Sequence, residues 1–107
     1  MIRLLNHFWC FVQGSSSIFK VNIGMNNDID DLKEAIKRKK PNDTAGVDAN
    51  KLRLWDVNVA LISDISEEML NDDNELKDER STIANTFSGI EGRNIRVVIK
   101  IPVNGES

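Results

Sequence analysis

The sequence predicts an α+β fold, a mixed sheet of four to five strands with one main helix across it. Three observations predict it. Two apolar segments near the N-terminus are joined by a short turn cluster, one segment has helical spacing with charge-matched ends, and a strongly β-prone run lies near the C-terminus.

Leu4 to Val12 is built from aromatic, β-branched and large apolar residues, which suit a pleated surface. Gln13-Gly14-Ser15-Ser16-Ser17 is a turn cluster. In Ile18–Ile23 the residues Phe19, Val21 and Ile23 share one face and Lys20 and Asn22 the other, so the pair reads as a hairpin. Asn27 or Asp28 can cap the helix that follows, because a short side-chain oxygen accepts from the free N–H groups of the first turn. Ile29, Leu32, Ala35 and Ile36 form its apolar face. Asp28, Asp30 and Asp31 at the start and Lys37, Arg38, Lys39 and Lys40 at the end oppose the helix dipole favourably, and Pro41 stops it.

Asn42 to Asn50 reads as a loop. Lys51 to Val57 alternates again, with Leu52 and Leu54 on one face, and residues 58–62 extend it or form a further strand. Asp64 to Glu79 carries eight acidic residues against one lysine, Lys77, and reads as an insertion over about 63–80. It is either a mobile loop or a short helix tethered by Ile65, Met69 and Leu70 and capped by Ser63 or Ser66. Ser81 to Phe87 is a turn or short helix that places Ile83 and Phe87 in the core. After the break at Gly89–Gly92, Asn94 to Ile101 is a strand with Ile95, Val97, Ile99 and Ile101 on one face and Val98 on the other. Two hairpin strands, a diagonal helix and a last strand beside the first make the β-grasp, or ubiquitin-like, plan.

A chain of 107 residues suits one domain, expected over 1–107. Its 29% charged residues and formal charge of −3 supply no global basic field, so nucleic acid is not an expected partner. One cysteine, Cys10, and one histidine, His7, cannot form an internal disulfide or supply a four-ligand zinc site. They lie three apart on one strand and point to opposite faces, so they do not pair as nucleophile and base. There is no Gly-rich phosphate loop and no HExxH, and the acidic stretch lacks the spacing of a calcium loop. No catalytic residue, metal or cofactor is expected. No apolar run reaches the ~20 residues of a membrane helix, and the N-terminal stretch reads as a strand, not a typical signal peptide.

Phe8-Trp-Cys-Phe-Val-Gln-Gly14, Phe19-Lys-Val-Asn-Ile23, Asp30-Asp-Leu-Lys-Glu-Ala-Ile-Lys-Arg-Lys-Lys-Pro41 and Val47-Asp-Ala-Asn-Lys-Leu-Arg-Leu-Trp55 resemble the N-terminal domain of Crinkler effectors. Ile95-Arg-Val-Val-Ile-Lys-Ile-Pro102 is similar to that domain's closing strand. The resemblance implies a ubiquitin-like N-terminal module of a kind found in oomycetes and host-associated fungi. Such modules accompany secretion and delivery into a host cell, frequently to the nucleus, ahead of variable C-terminal domains that carry the effector activity. This chain stops after the N-terminal module and is expected to lack that activity. Oomycete members carry a Leu-Phe-Leu-Ala-Lys motif in the third-strand region. The matching stretch here, Leu52-Arg-Leu-Trp-Asp-Val57, lacks the alanine-lysine pair, which suits a fungal-type member.

The chain also resembles ubiquitin in outline, but its last residues are Val103-Asn-Gly-Glu-Ser107 instead of a glycine pair. The counterpart of ubiquitin's exposed receptor-binding isoleucine is Arg53, so ordinary ubiquitin receptors are not expected to bind. Trp9, Phe11, Arg53 and Trp55 are the candidate protein-binding patch. Two arrangements are open for the aromatics: exposed on the outer sheet face, or covered by the acidic insertion or the N-terminal arm. Lys37, Arg38, Lys39 and Lys40 read as a minimal nuclear-localisation cluster or as a solvated helix end. Leu52, Leu54 and Trp55 occupy the translocation-motif position, and Asn42-Asp-Thr44 is an N-glycosylation sequon. The expected partner is a host or transport protein, with a homodimer through a sheet edge or the aromatic patch as a further arrangement. The alternative function is an intracellular adaptor or dimerisation module.

Overall fold

A computed structural model describes residues 5–15, 18–87 and 93–102, with side chains from His7 onward. Leu4, Ser16, Ser17, the Gly89–Gly92 break and the Val103–Ser107 tail lie outside the described residues. Strands β1 (Leu5–Val12), β2 (Ile18–Gly24), β3 (Arg53–Val59) and β4 (Ile95–Lys100) form one sheet in the order β2-β1-β4-β3. The hairpin pairs β1 and β2 antiparallel, β4 lies parallel to β1, and β3 is antiparallel to β4. Helix α1 (Ile29–Lys39) covers one face, and a single-turn helix α2 (Ile83–Thr86) closes its lower end. This is the mixed sheet with one main helix that the sequence predicts, and the stretch after β3 adds no fifth strand among the described residues.

The hairpin turns through Gly14, whose φ of 95° is open to glycine without strain. Helix α1 begins at a reciprocal cap. The Asp31 N–H donates to Asp28 Oδ1 at 2.9 Å, and the Asp28 N–H donates to Asp31 Oδ2 at 3.2 Å. At its other end Thr44 is fully buried and donates from N and Oγ1 to the Lys40 carbonyl, satisfying an orphan acceptor. The sequon's hydroxyl is therefore committed to closing the helix.

The helix-facing core joins Phe8, Cys10, Val12, Phe19, Val21 and Ile23 to Ile29, Leu32 and Ile36, with Leu52, Leu54, Val97 and Ile99 from the far strands. Ile83 and Phe87 drop into it as expected, the Phe8 and Phe87 ring centroids 5.0 Å apart. Backbone bonds from Ile29 to Ser81, Ile83 to Asn27 and Ala84 to Met25 tie α2 to the start of α1.

One face assignment is corrected. Ile95 does not share a face with Val97 and Ile99. It packs with Phe11, Trp55, Val57, Val59 and Val98 on the opposite side of the sheet. The cause is a bulge at Arg96. Trp9 pairs with Ile95 while its neighbour Cys10 pairs with Val97, so one residue is skipped and the alternation inverts.

Candidate functional site

The sheet is apolar on both faces, and the second apolar face is what positions the candidate residues. Phe11, Trp55, Val57, Val59, Ile95 and Val98 form a second cluster, and Ile65, Met69 and Leu70 of the acidic insertion pack onto it. The insertion folds as two one-turn helices, Ile62–Asp64 and Glu67–Met69, the second preceded by Ser66. Its later residues run along β3. The Asp56 N–H donates to the Asn74 carbonyl at 2.9 Å and the Leu76 N–H to the Leu54 carbonyl at 2.8 Å. An acidic segment therefore serves as both the outer cover and a partial edge strand.

Charge holds it there. Arg53 grips Glu75 with two N–H donors, at 2.9 and 2.8 Å. Glu67 meets Lys100 at 3.5 Å and accepts from Gln13 Nε2 at 2.9 Å, while Glu79 meets Lys33 at 3.0 Å. The hydrogen bonds from Arg53 hold the Glu75 carboxyl below its ordinary range.

These contacts settle where the predicted aromatics lie. Trp55 is 1% exposed. Its Nε1–H donates to the Asn71 carbonyl at 3.1 Å, and the Arg53 guanidinium lies 4.9 Å from its ring centroid. Phe11 is buried in the same cluster. Trp9 is half-buried, with the Lys20 ammonium 5.6 Å from its ring. The covered arrangement is thus the one adopted by Trp55 and Phe11, while Trp9 and Arg53 keep exposed surface. Leu52, Leu54 and Trp55 are all fully buried, so in the folded chain their side chains offer no surface, while Arg53 between them does.

The basic cluster is divided by the fold. Lys37 donates to the Thr44 and Val47 carbonyls at 3.0 and 2.6 Å, and the Lys40 ammonium sits 5.3 Å from the Phe19 ring. Arg38 and Lys39 are exposed. With Lys20, Val21, Asn22 and Ala35 they line a shallow cleft of about 270 Å³ between α1 and β2. The sequence reading places Lys20 on a strand face and Arg38 on a helix end. Only the packing of the helix across the hairpin brings them together.

A second depression of about 350 Å³ lies at the bulge, lined by Val57, Asn58, Val59, Met69 and Asn74 with the pair Asp56 and Arg96 at 3.8 Å. Burial raises the Asp56 carboxyl and Arg96 opposes that shift. Cys10 is fully buried, which pushes its thiol far up, and His7 is exposed beside Asn22, so the two do not meet. Leu61 and Ile62 are the exposed large apolar side chains among the described residues, at the entry to the insertion. No described helix is long and apolar enough to cross a membrane.

A mixed four-stranded sheet with one helix across it, its first and last strands side by side, defines a β-grasp-like fold. The comparison with known families goes further: the model described as the Crinkler effector protein N-terminal domain matches residues 7–100, most of the chain, and the protein belongs to that family. It is also similar to Crinkler effector protein 108 of Phytophthora sojae, 48% identical over 48 residues, or 44% of this chain. The matched part is 6% of that relative's length. Since the relative is an oomycete protein, the likeness lends nothing to a fungal assignment.

Proposed function

We propose that the chain is the non-catalytic, ubiquitin-like N-terminal module of a Crinkler-type effector. It forms one domain over residues 1–107, with its acidic insertion as an integral cover. Its role is secretion, passage into a host cell and binding of a host or transport protein. The observation that carries this reading is the family match over residues 7–100 on a β-grasp-like fold. A module that recognises partners needs surface rather than a reactive centre. The burial of Cys10 and its separation from His7 support that economy.

The candidate binding surface keeps Trp9 and Arg53 at its exposed margin, with Phe11 and Trp55 beneath as support. Within the basic cluster, Arg38 and Lys39 carry nuclear entry, because Lys37 is engaged in holding the loop after the helix. A reporter fusion of the full chain, followed in the producing organism during host colonisation, tests delivery. Reporter signal is expected inside host cells, and the Arg38→Ala/Lys39→Ala pair is expected to lower its nuclear fraction. Retention in the producing cell overturns the delivery role, and an unchanged nuclear fraction overturns the role of the pair.

A further inference from the structure

We propose that the cleft between β2 and the C-terminal half of α1 takes an extended acidic peptide of a partner protein, which pairs with β2 as an added strand. This deepens the protein-binding part of the reading above and rests on it. It is independent of delivery.

The two edges of the sheet are treated differently. The edge at β3 is occupied by the chain itself, through Asn74, Glu75 and Leu76. Among the described residues the edge at β2 has no neighbouring strand, and no backbone bond reaches the outer side of Ile18–Ile23. Alternate residues of an edge strand direct N–H and C=O groups outward, and these are the template for strand addition.

The wall beside that open edge has a definite chemistry. Val21 and Ala35 make an apolar floor, Arg38 and Lys39 make the basic rim, Lys20 lines the β2 side with its ammonium turned to Trp9, and no carboxylate lines the cleft. Neither Arg38 nor Lys39 is in a salt bridge among the described residues. A strand laid along β2 would set small or β-branched side chains on Val21 and Ala35 and carboxylates against the rim. Complementary charge at such a rim steers encounter and fixes register.

The charges also select against a second copy as occupant. Pairing β2 with β2 would bring two sets of these cations together. A partner copy's insertion is no substitute, since its backbone is fixed along β3 by Asn74 and Leu76 and its Ile65, Met69 and Leu70 are packed on the outer cluster, so it is not an extended strand free to pair with β2.

The test is an NMR-monitored titration of the full chain with a blocked Glu-Val-Glu-Val-Glu peptide. Three controls accompany it: the same peptide with Lys for Glu, the same peptide N-methylated at alternate amides, and a single-stranded oligonucleotide of equal charge. Expected are amide shifts confined to β2 and the facing side of α1, with peptide Hα contacts to β2. The Lys and N-methylated peptides should not bind, and Arg38→Glu/Lys39→Glu, checked as folded by circular dichroism, should weaken binding by about tenfold or more. Equal binding of the N-methylated peptide overturns strand addition. Shifts at Leu61–Ile62, tighter binding of the oligonucleotide, concentration-dependent dimerisation through β2, or no binding by the acidic peptide overturns the occupant. Host accumulation of the reporter fusion is read separately, so failure here is distinguishable from failure of the delivery role.

Discussion

At the scale of single residues, Trp55 carries the most weight. Its ring joins β3 to the insertion, lies under Arg53 and has Lys100 5.6 Å from its centroid, and its N–H satisfies the Asn71 carbonyl. Truncating a fully buried Trp removes its transfer energy and leaves a cavity, so Trp55→Ala should cost about 3–5 kcal/mol. Trp9→Ala, at a half-buried ring, should cost much less. Urea unfolding of the two variants checks this, and similar losses at both sites would show that Trp55 is not the sealed residue. The sequence made Trp55's face legible through period two, since Leu52 and Leu54 claim the other side. It did not reveal the cover. Which loop folds over an apolar face depends on long-range contacts such as Ile65, Met69 and Leu70 reaching a strand that precedes them.

At the scale of elements, helix α1 was the most legible piece. Its caps, its apolar stripe at Ile29, Leu32 and Ile36 and its terminating Pro41 all act within a few residues of one another. The insertion was the least legible. Its acid count suggests solvation, whereas Arg53, Lys100 and Lys33 hold it down from three other elements. The bulge at Arg96 was likewise hidden, because an extra residue inverts a face without changing composition. The Arg53–Glu75 clasp has a pH signature. Glu75 is held below its ordinary value of 4.5 in the folded chain, so its contribution is fully present above that value and is lost as pH falls through the lower folded value. Asp56, raised by burial, acts in the opposite sense by taking up its proton more readily when folded. Glu75→Gln should therefore lower the urea midpoint at pH 7, and the gap from the unaltered protein should narrow toward pH 3. A gap that stays constant with pH would mean the clasp contributes no charge-dependent stability.

At the scale of the whole molecule, the sheet order explains why both faces must be covered. The two terminal strands are the inner pair, so β1 and β4 are apolar on both sides, with Phe8, Cys10 and Val97 toward the helix and Phe11, Ile95 and Val98 away from it. Such strands read as nearly continuous apolar runs. The helix seals one face and the acidic insertion seals the other and closes the β3 edge. Surface is thereby left at Trp9, at Arg53, at Leu61 and Ile62 and along β2 with its basic rim. The order of elements and the family were both readable from the chain. The cleft was not, because its residues come from two elements and meet only through the helix crossing.

Among the described residues the chain covers its own outer face and β3 edge and leaves β2 open. Residue-resolved amide hydrogen exchange on the full chain tests this arrangement most directly. Slow exchange is predicted throughout β1 and β4 and at Asp56 and Leu76, with rapid exchange at the outward-directed amides of β2. Rapid exchange at Asp56 and Leu76, or protection of every β2 amide in the free protein, would contradict the account.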